Sequence, residues 1–122
     1  MSENTRTVFL DDGEQKLELQ RYQLTVVDGP DEGTAVECEG RRTMIGSSPE
    51  NDVVVNDPSV SRFHAVIEVD EEGYLLEDRD SKNGTYVDGY RINEIFLNDG
   101  AVFRIGKTHL QFDTTDEEVE VH

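Results

Sequence analysis

The sequence predicts an all-β protein, an antiparallel β-sandwich. Three observations carry this. Apolar and polar residues alternate in short runs rather than at helical spacing, turn-forming Gly, Asp, Asn and Pro recur between the runs, and no amphipathic stretch of helical length interrupts them. A parallel α/β sheet would need crossover helices, for which the pattern leaves no room.

Residues 1–20 mix acids, amides and threonines without sustained periodicity and read as a flexible N-terminal arm. Alternation from Leu17 to Val26 allows the first strand to begin as early as Leu17, and the turn Asp28-Gly29-Pro30-Asp31-Glu32-Gly33 ends it. Strands are then expected over Thr34–Cys38, Arg42–Ile45, Asp52–Val55, Ala65–Val69 and Tyr74–Glu77. Tyr86-Val87 and Tyr90-Arg91-Ile92 flank Asp88-Gly89, a hairpin signal, because the tight primed turn needs positive φ at both central positions. A last pair is expected over Ala101–Ile105 and Thr108–Phe112, joined at Gly106-Lys107 and preceded by the turn Asn98-Asp99-Gly100.

Alternation places Leu24, Val26, Val36, Met44, Val53, Val55, Ile67, Val69, Phe103, Ile105, Leu110 and Phe112 inside. Cys38 lies in a strand-like run and reads as a buried structural thiol. Residues 114–122 read as an acidic tail or the start of a linker, which leaves residues 21–113 as the domain.

At 122 residues the chain has room for one domain with extensions. Against 28 acidic residues stand 11 basic ones, a net charge of −17 that opposes nucleic acid and anionic membrane as partners. Arg62 and Lys82 nevertheless fall in loops, and screening over roughly 8 to 10 Å lets a local cationic spot survive on an acidic body. A single cysteine, no apolar N-terminal run and no bilayer-length stretch favour the cytoplasm.

Two loop-bearing segments carry the functional signal: Ile45 to Ala65, containing Gly46-Ser47-Ser48 and Ser61-Arg62-Phe63-His64, and Asp80 to Gly89, containing Lys82-Asn83-Gly84-Thr85. Together they resemble the forkhead-associated (FHA) domain, in which a glycine after a strand, a Ser-x-x-His segment and an Asn-Gly pair lie in that order. The resemblance implies an FHA/SMAD-like sandwich with binding loops at one end. It implies a phosphothreonine-peptide-binding signalling module whose partner is a phosphothreonine-containing protein or peptide, in another protein or in the same parent chain, with no cofactor.

A phosphate carries roughly −1.5 to −2 charges at pH 7, so its receptor must converge several donors. By resemblance, Ser61 bonds the phosphate through hydroxyl and backbone amide, Arg62 and Lys82 contact the phosphate or its neighbours, and Asn83 bonds the ligand backbone while also suiting the turn before Gly84. Gly46, His64 and Gly84 are structural, with His64 tying loops together. Ser47 departs from the family: many FHA domains place a phosphate-binding arginine there. The missing guanidinium leaves open an alternative, a phosphate-independent protein–protein or autoregulatory domain.

The Ile-Gly-Ser and Val-Ser-Arg-Phe-His version of the motif is also similar to the N-terminal FHA domains of bacterial sigma-54-dependent transcription activators. That implies the regulatory fragment of a larger protein. Enzymatic readings find little support. Ser61 and His64, three residues apart on extended chain, point to opposite faces. Asp78–Asn83 begins like a calcium loop but lacks its glycine and closing glutamate. No zinc spacing, phosphate-binding loop, nucleophile elbow or kinase signature is present.

Overall fold

A computed structural model of the chain describes residues 5–9, 15–19 and 21–115, with side chains placed from Arg21 onward. Its strands are β1 (Thr5–Phe9), β2 (Gln15–Leu19), β3 (Tyr22–Asp28), β4 (Ala35–Cys38), β5 (Arg42–Gly46), β6 (Val53–Val54), β7 (Ala65–Asp70), β8 (Gly73–Asp78), β9 (Thr85–Val87), β10 (Tyr90–Ile92), β11 (Glu94–Leu97), β12 (Val102–Ile105) and β13 (Thr108–Thr114). No helix occurs among the described residues. A six-stranded sheet runs β10-β9-β12-β13-β3-β4, a five-stranded sheet runs β11-β8-β7-β5-β6, and β1 pairs with β2 in a separate hairpin. All pairings are antiparallel except β5 with β6, where Ile45 lies opposite Val53.

One apolar core joins the two large sheets. Leu24, Val26, Phe103, Ile105, Leu110 and Phe112 enter it from the six-stranded sheet, and Ile45, Val53, Ile67, Val69, Tyr74 and Leu76 from the other. At its centre Tyr22, Tyr74 and Phe112 form an aromatic triangle with ring centroids 5.0 to 5.3 Å apart. Each such contact contributes about 0.5 to 1.5 kcal/mol beyond the area it buries. Burial raises the Tyr22 phenol pKa, so the ring stays neutral, and its O–H donates to Thr43 Oγ1 at 2.5 Å.

That bond explains a departure from simple alternation in β5. Met44, expected inside, is only half-buried, whereas Thr43 and Ile45 face the core. The register Thr43↔Ile67 and Ile45↔Ala65 sets this face, and Tyr22 satisfies the hydroxyl that would otherwise be costly to bury. Val36 also falls short of full burial, because it lies on edge strand β4 and packs against the core from the rim. Cys38 is buried, and burial pushes its thiol up to about 11, which keeps it a protonated structural group.

The strand expected from Leu17 is divided, with β2 ending at Leu19 and β3 beginning at Tyr22. Strand β11 was not expected; it pairs with β8 and places Leu97 in the core. The Asp88-Gly89 hairpin forms as the turn chemistry requires, with φ of 54° and 82°.

Candidate functional site

Three connections meet at one end of the sandwich: the β5–β6 loop, the β6–β7 loop and the β8–β9 loop. Gly46 closes β5 where the first two touch. A Cβ at Gly46 would overlap the Arg62 carbonyl and lie 2.8 Å from Asn51 Nδ2. Glycine is needed there for close backbone approach. Ser47 N–H donates to the Ser61 carbonyl (3.0 Å), and Ser48 N–H to the Arg62 carbonyl (3.2 Å). Asn51 reinforces the junction: its buried Nδ2 donates to the carbonyls of Ser48 (2.8 Å) and Arg62 (2.7 Å).

His64 is fully buried and joins the second loop to the third. Its Nδ1 accepts from Ser61 N–H at 3.0 Å, which places the ring proton on Nε2, 2.9 Å from the Gly84 carbonyl that accepts it. Burial holds its pKa below the usual histidine value, so the ring is neutral near pH 7. The ring thereby ties the Ser61 and Gly84 loops together.

Ser61 sits at the centre. Its backbone N–H is engaged by His64, so the amide expected to bond a ligand is committed to the fold and the hydroxyl remains. Ser61 Oγ accepts from Lys82 N–H at 3.0 Å, which leaves the hydroxyl proton to donate elsewhere. Asn83 Nδ2 donates to the Ser59 carbonyl (2.8 Å), closing the third loop onto the second and leaving the exposed Oδ1 as an acceptor. Arg62 and Lys82 are exposed, and neither pairs with a carboxylate among the described residues. Thus Ser61, Arg62, Lys82 and Asn83 are brought together across the loop contacts. Ser47 sits beside them through its bond to Ser61.

Two carboxylates hold these loops and were not expected to. Asp57, buried, accepts from Ser59 N–H and Oγ, from Lys107 N–H and from Thr108 Oγ1, at 2.6 to 2.9 Å, and so pins the β6–β7 loop to the β12–β13 turn. Burial alone would raise its pKa; these bonds outweigh that and hold it near 2. Asp78 does the same for the third loop, accepting from Ser81 N–H and Oγ and from Thr85 Oγ1, while Ser81 Oγ accepts from Gly84 N–H. Burial opposes ionisation of Asp78 too, and the Ser81 and Thr85 bonds again prevail to lower its pKa. Gly84 has φ of 88°, a left-handed conformation suited to glycine. Asp57 precedes Pro58 and Asn51 precedes Asp52, as ordinary turn formers do, yet the Asp57 and Asn51 side chains bind Lys107, Thr108 and Arg62, distant along the chain. Among the described residues no group of three or more His, Cys, Asp or Glu is placed to hold a metal, and no helix is long and apolar enough to cross a membrane.

A family model described as the cytoplasmic domain of an inner membrane component of T3SS matches residues 25–116. The chain is 32% identical over 112 residues to the oxoglutarate dehydrogenase inhibitor of Corynebacterium glutamicum, an alignment covering 92% of this chain and 78% of the relative. It is also 32% identical over 97 residues to the glycogen accumulation regulator GarA of Mycobacterium tuberculosis, covering 80% of this chain and 60% of GarA. A solved structure described as an analysis of phosphothreonine-dependent FHA domain interactions superposes with a TM-score of 0.71 at 29% identity, over 78% of this chain and 97% of that one. With its two-sheet frame and with Gly46, Ser61, His64, Asn83 and Gly84 joined at one end, the chain belongs to the family that model describes and is a forkhead-associated domain.

Proposed function

We propose that the chain is a phosphothreonine-peptide-binding regulatory module, docking an extended segment of a partner across the loops of Ser61, Arg62, Lys82 and Asn83. One observation carries this. The Ser61 hydroxyl, oriented by Lys82 N–H, has a proton to donate between two cations that lack carboxylate partners among the described residues. Such a site suits a doubly charged anion with several acceptor oxygens. In this reading Ser61 and Ser47 donate hydroxyl protons, Arg62 and Lys82 supply charge, and Asn83 Oδ1 accepts from the ligand backbone.

The chemistry is binding rather than turnover. Both ring nitrogens of His64 are engaged by backbone groups, so the ring is not placed to act as a base toward Ser61 Oγ. Similarity to the oxoglutarate dehydrogenase inhibitor and to GarA supports a regulator that acts by engaging other proteins. The sigma-54-type parent, with an adjoining ATPase domain, is the finer context implied by the motif alone.

Ser47 favours a second reading, phosphate-independent recognition by the same loops, because a hydroxyl replaces the guanidinium that would bind phosphate most strongly. Calorimetry with matched phosphorylated and unphosphorylated threonine peptides separates the two. The first reading expects binding only of the phosphorylated form. Equal affinity for both favours the second, and binding of neither removes both.

A further inference from the structure

Of the eight basic residues from Arg41 to Lys107, only Arg42 and Arg79 pair with a carboxylate among the described residues, namely Glu68 and Glu77. In a chain with 28 acidic residues, five of the six cations left unpaired, Arg62, Lys82, Arg91, Arg104 and Lys107, lie toward the loop end, a cluster that calls for an anionic partner. Arg62 and Lys82 lie in the loops already described. Arg91 and Arg104 lie elsewhere, on the outer face of the six-stranded sheet just below the loop rim.

Pairing fixes their position. Arg91 stands opposite Tyr86, Tyr86 opposite Arg104, and Arg104 opposite His109, so the four side chains form one row across β10, β9, β12 and β13. Their strand neighbours Thr85, Ile105 and Thr108 are buried, which puts the row on the outer face. Both arginines reach toward the rim. Arg104 stacks over Tyr86 at 4.2 Å and donates from Nη1 to the Gly106 carbonyl at 2.8 Å. Arg91 lies against the Gly84 backbone, so close that a Cβ on Gly84 would sit 2.8 Å from its Nε. Below them a groove of about 310 Å³ is lined by Tyr86, Val102, Arg104 and His109, with Asp88 among its edges.

We infer that this row extends the loop site and takes acidic residues flanking the phosphothreonine of the bound segment. The inference rests on the phosphothreonine reading and adds the sequence class that the site selects. An extended segment advances about 3.3 Å per residue, so carboxylates a few residues from the phosphothreonine reach past Gly84 or Gly106 to the row. Stacking and the Gly106 bond hold the Arg104 guanidinium in place, and its remaining donors suit a carboxylate in bidentate geometry.

The test is calorimetry on the full chain at 50 mM salt with three phosphothreonine peptides: three Glu on the N-terminal side, three Glu on the C-terminal side, or Ala on both. One acidic peptide is expected to bind about fivefold tighter than the alanine peptide. That ratio should fall toward one in the Arg91→Gln/Arg104→Gln variant and in wild type at 500 mM salt. Thermal melts check folding, and if the double variant does not fold, the ratio in Arg91→Gln and Arg104→Gln singly decides. Equal wild-type affinity for all three peptides overturns this inference alone, as does a ratio unchanged in the folded variants. Failure of every phosphopeptide to bind overturns the phosphothreonine reading and this one with it.

Discussion

The space between the sheets and the loop end of the sandwich both contain buried side chains, yet these are held by opposite means. Between the sheets the contacts are apolar and non-directional apart from the Tyr22–Thr43 hydrogen bond, and they centre on Tyr22, Tyr74 and Phe112. At the loop end His64, Asn51, Asp57 and Ser81 are buried polar groups held by hydrogen bonds, the first three to partners in other connections and Ser81 within its own loop. Apolar burial stabilises the sandwich without dictating where a loop atom sits. Hydrogen bonds add less net stability but fix position, which a binding site requires. A lesion in the first region should therefore change how much protein is folded, and a lesion in the second how well the folded protein binds.

The largest effect is expected in the core. Phe112→Ala removes one corner of the aromatic triangle and should cost about 3 to 5 kcal/mol in urea unfolding. Phosphopeptide affinity per folded molecule should stay near wild type. His64→Ala comes next and breaks the symmetry of the comparison. It leaves Ser61 N–H and the Gly84 carbonyl without their partner, at about 1 to 3 kcal/mol each. Here affinity should fall more than tenfold in protein that remains folded, since the Ser61 and Gly84 loops lose their common anchor.

The sandwich was legible in the sequence because turn residues and alternation are local signals. Asp88-Gly89 forms its hairpin, and most expected strands appear within a residue or so of their bounds. What failed locally failed for tertiary reasons. Thr43 turns inward because Tyr22 offers a partner across the core, and Met44 yields the position. Strand β11 follows β10 after a single residue, too close for a turn signal to separate them. The motif residues Gly46, Ser61, His64, Asn83 and Gly84 were found by their order along the chain. Asp57 and Asn51 were not, because an Asp before Pro or an Asn before Asp looks like any turn former until its distant partners are known. Arg91 was hidden for the same reason, since its proximity to Gly84 exists only once β10 folds back along β9.

Acid should separate the two regions without any substitution. The carboxyl of Asp57 is near 2 when folded and near 3.8 otherwise, so the unfolded chain binds the proton first. Its contribution, about 2 kcal/mol, is complete above the unfolded value and is lost as pH falls from about 3.8 toward 2. His64 acts in the same direction at higher pH: with its folded pKa lowered, stability begins to decline as pH drops below about 6.5. Urea unfolding across pH should show both declines in wild type, the lower one reduced in Asp57→Asn and the upper one absent in His64→Ala. The apolar core contributes to neither.

The smallest effect sharpens the loop end by addition. Ser47→Arg supplies the guanidinium that the family resemblance leads one to expect, beside Ser61 and within the loop junction closed by Gly46. One charge-assisted bond at a partly exposed position should tighten phosphopeptide binding about tenfold, read by calorimetry, with little change in unfolding midpoint.

The central claim is that the joined loop end, and no other surface, grips the phosphate. Backbone amide NMR during titration with a phosphothreonine peptide tests it most directly. Ser47, Ser61, Arg62, Lys82 and Asn83 should shift together, with no such response to the unphosphorylated peptide. Phosphate-dependent shifts confined to strands β4 and β11, with those five amides unmoved, would contradict it.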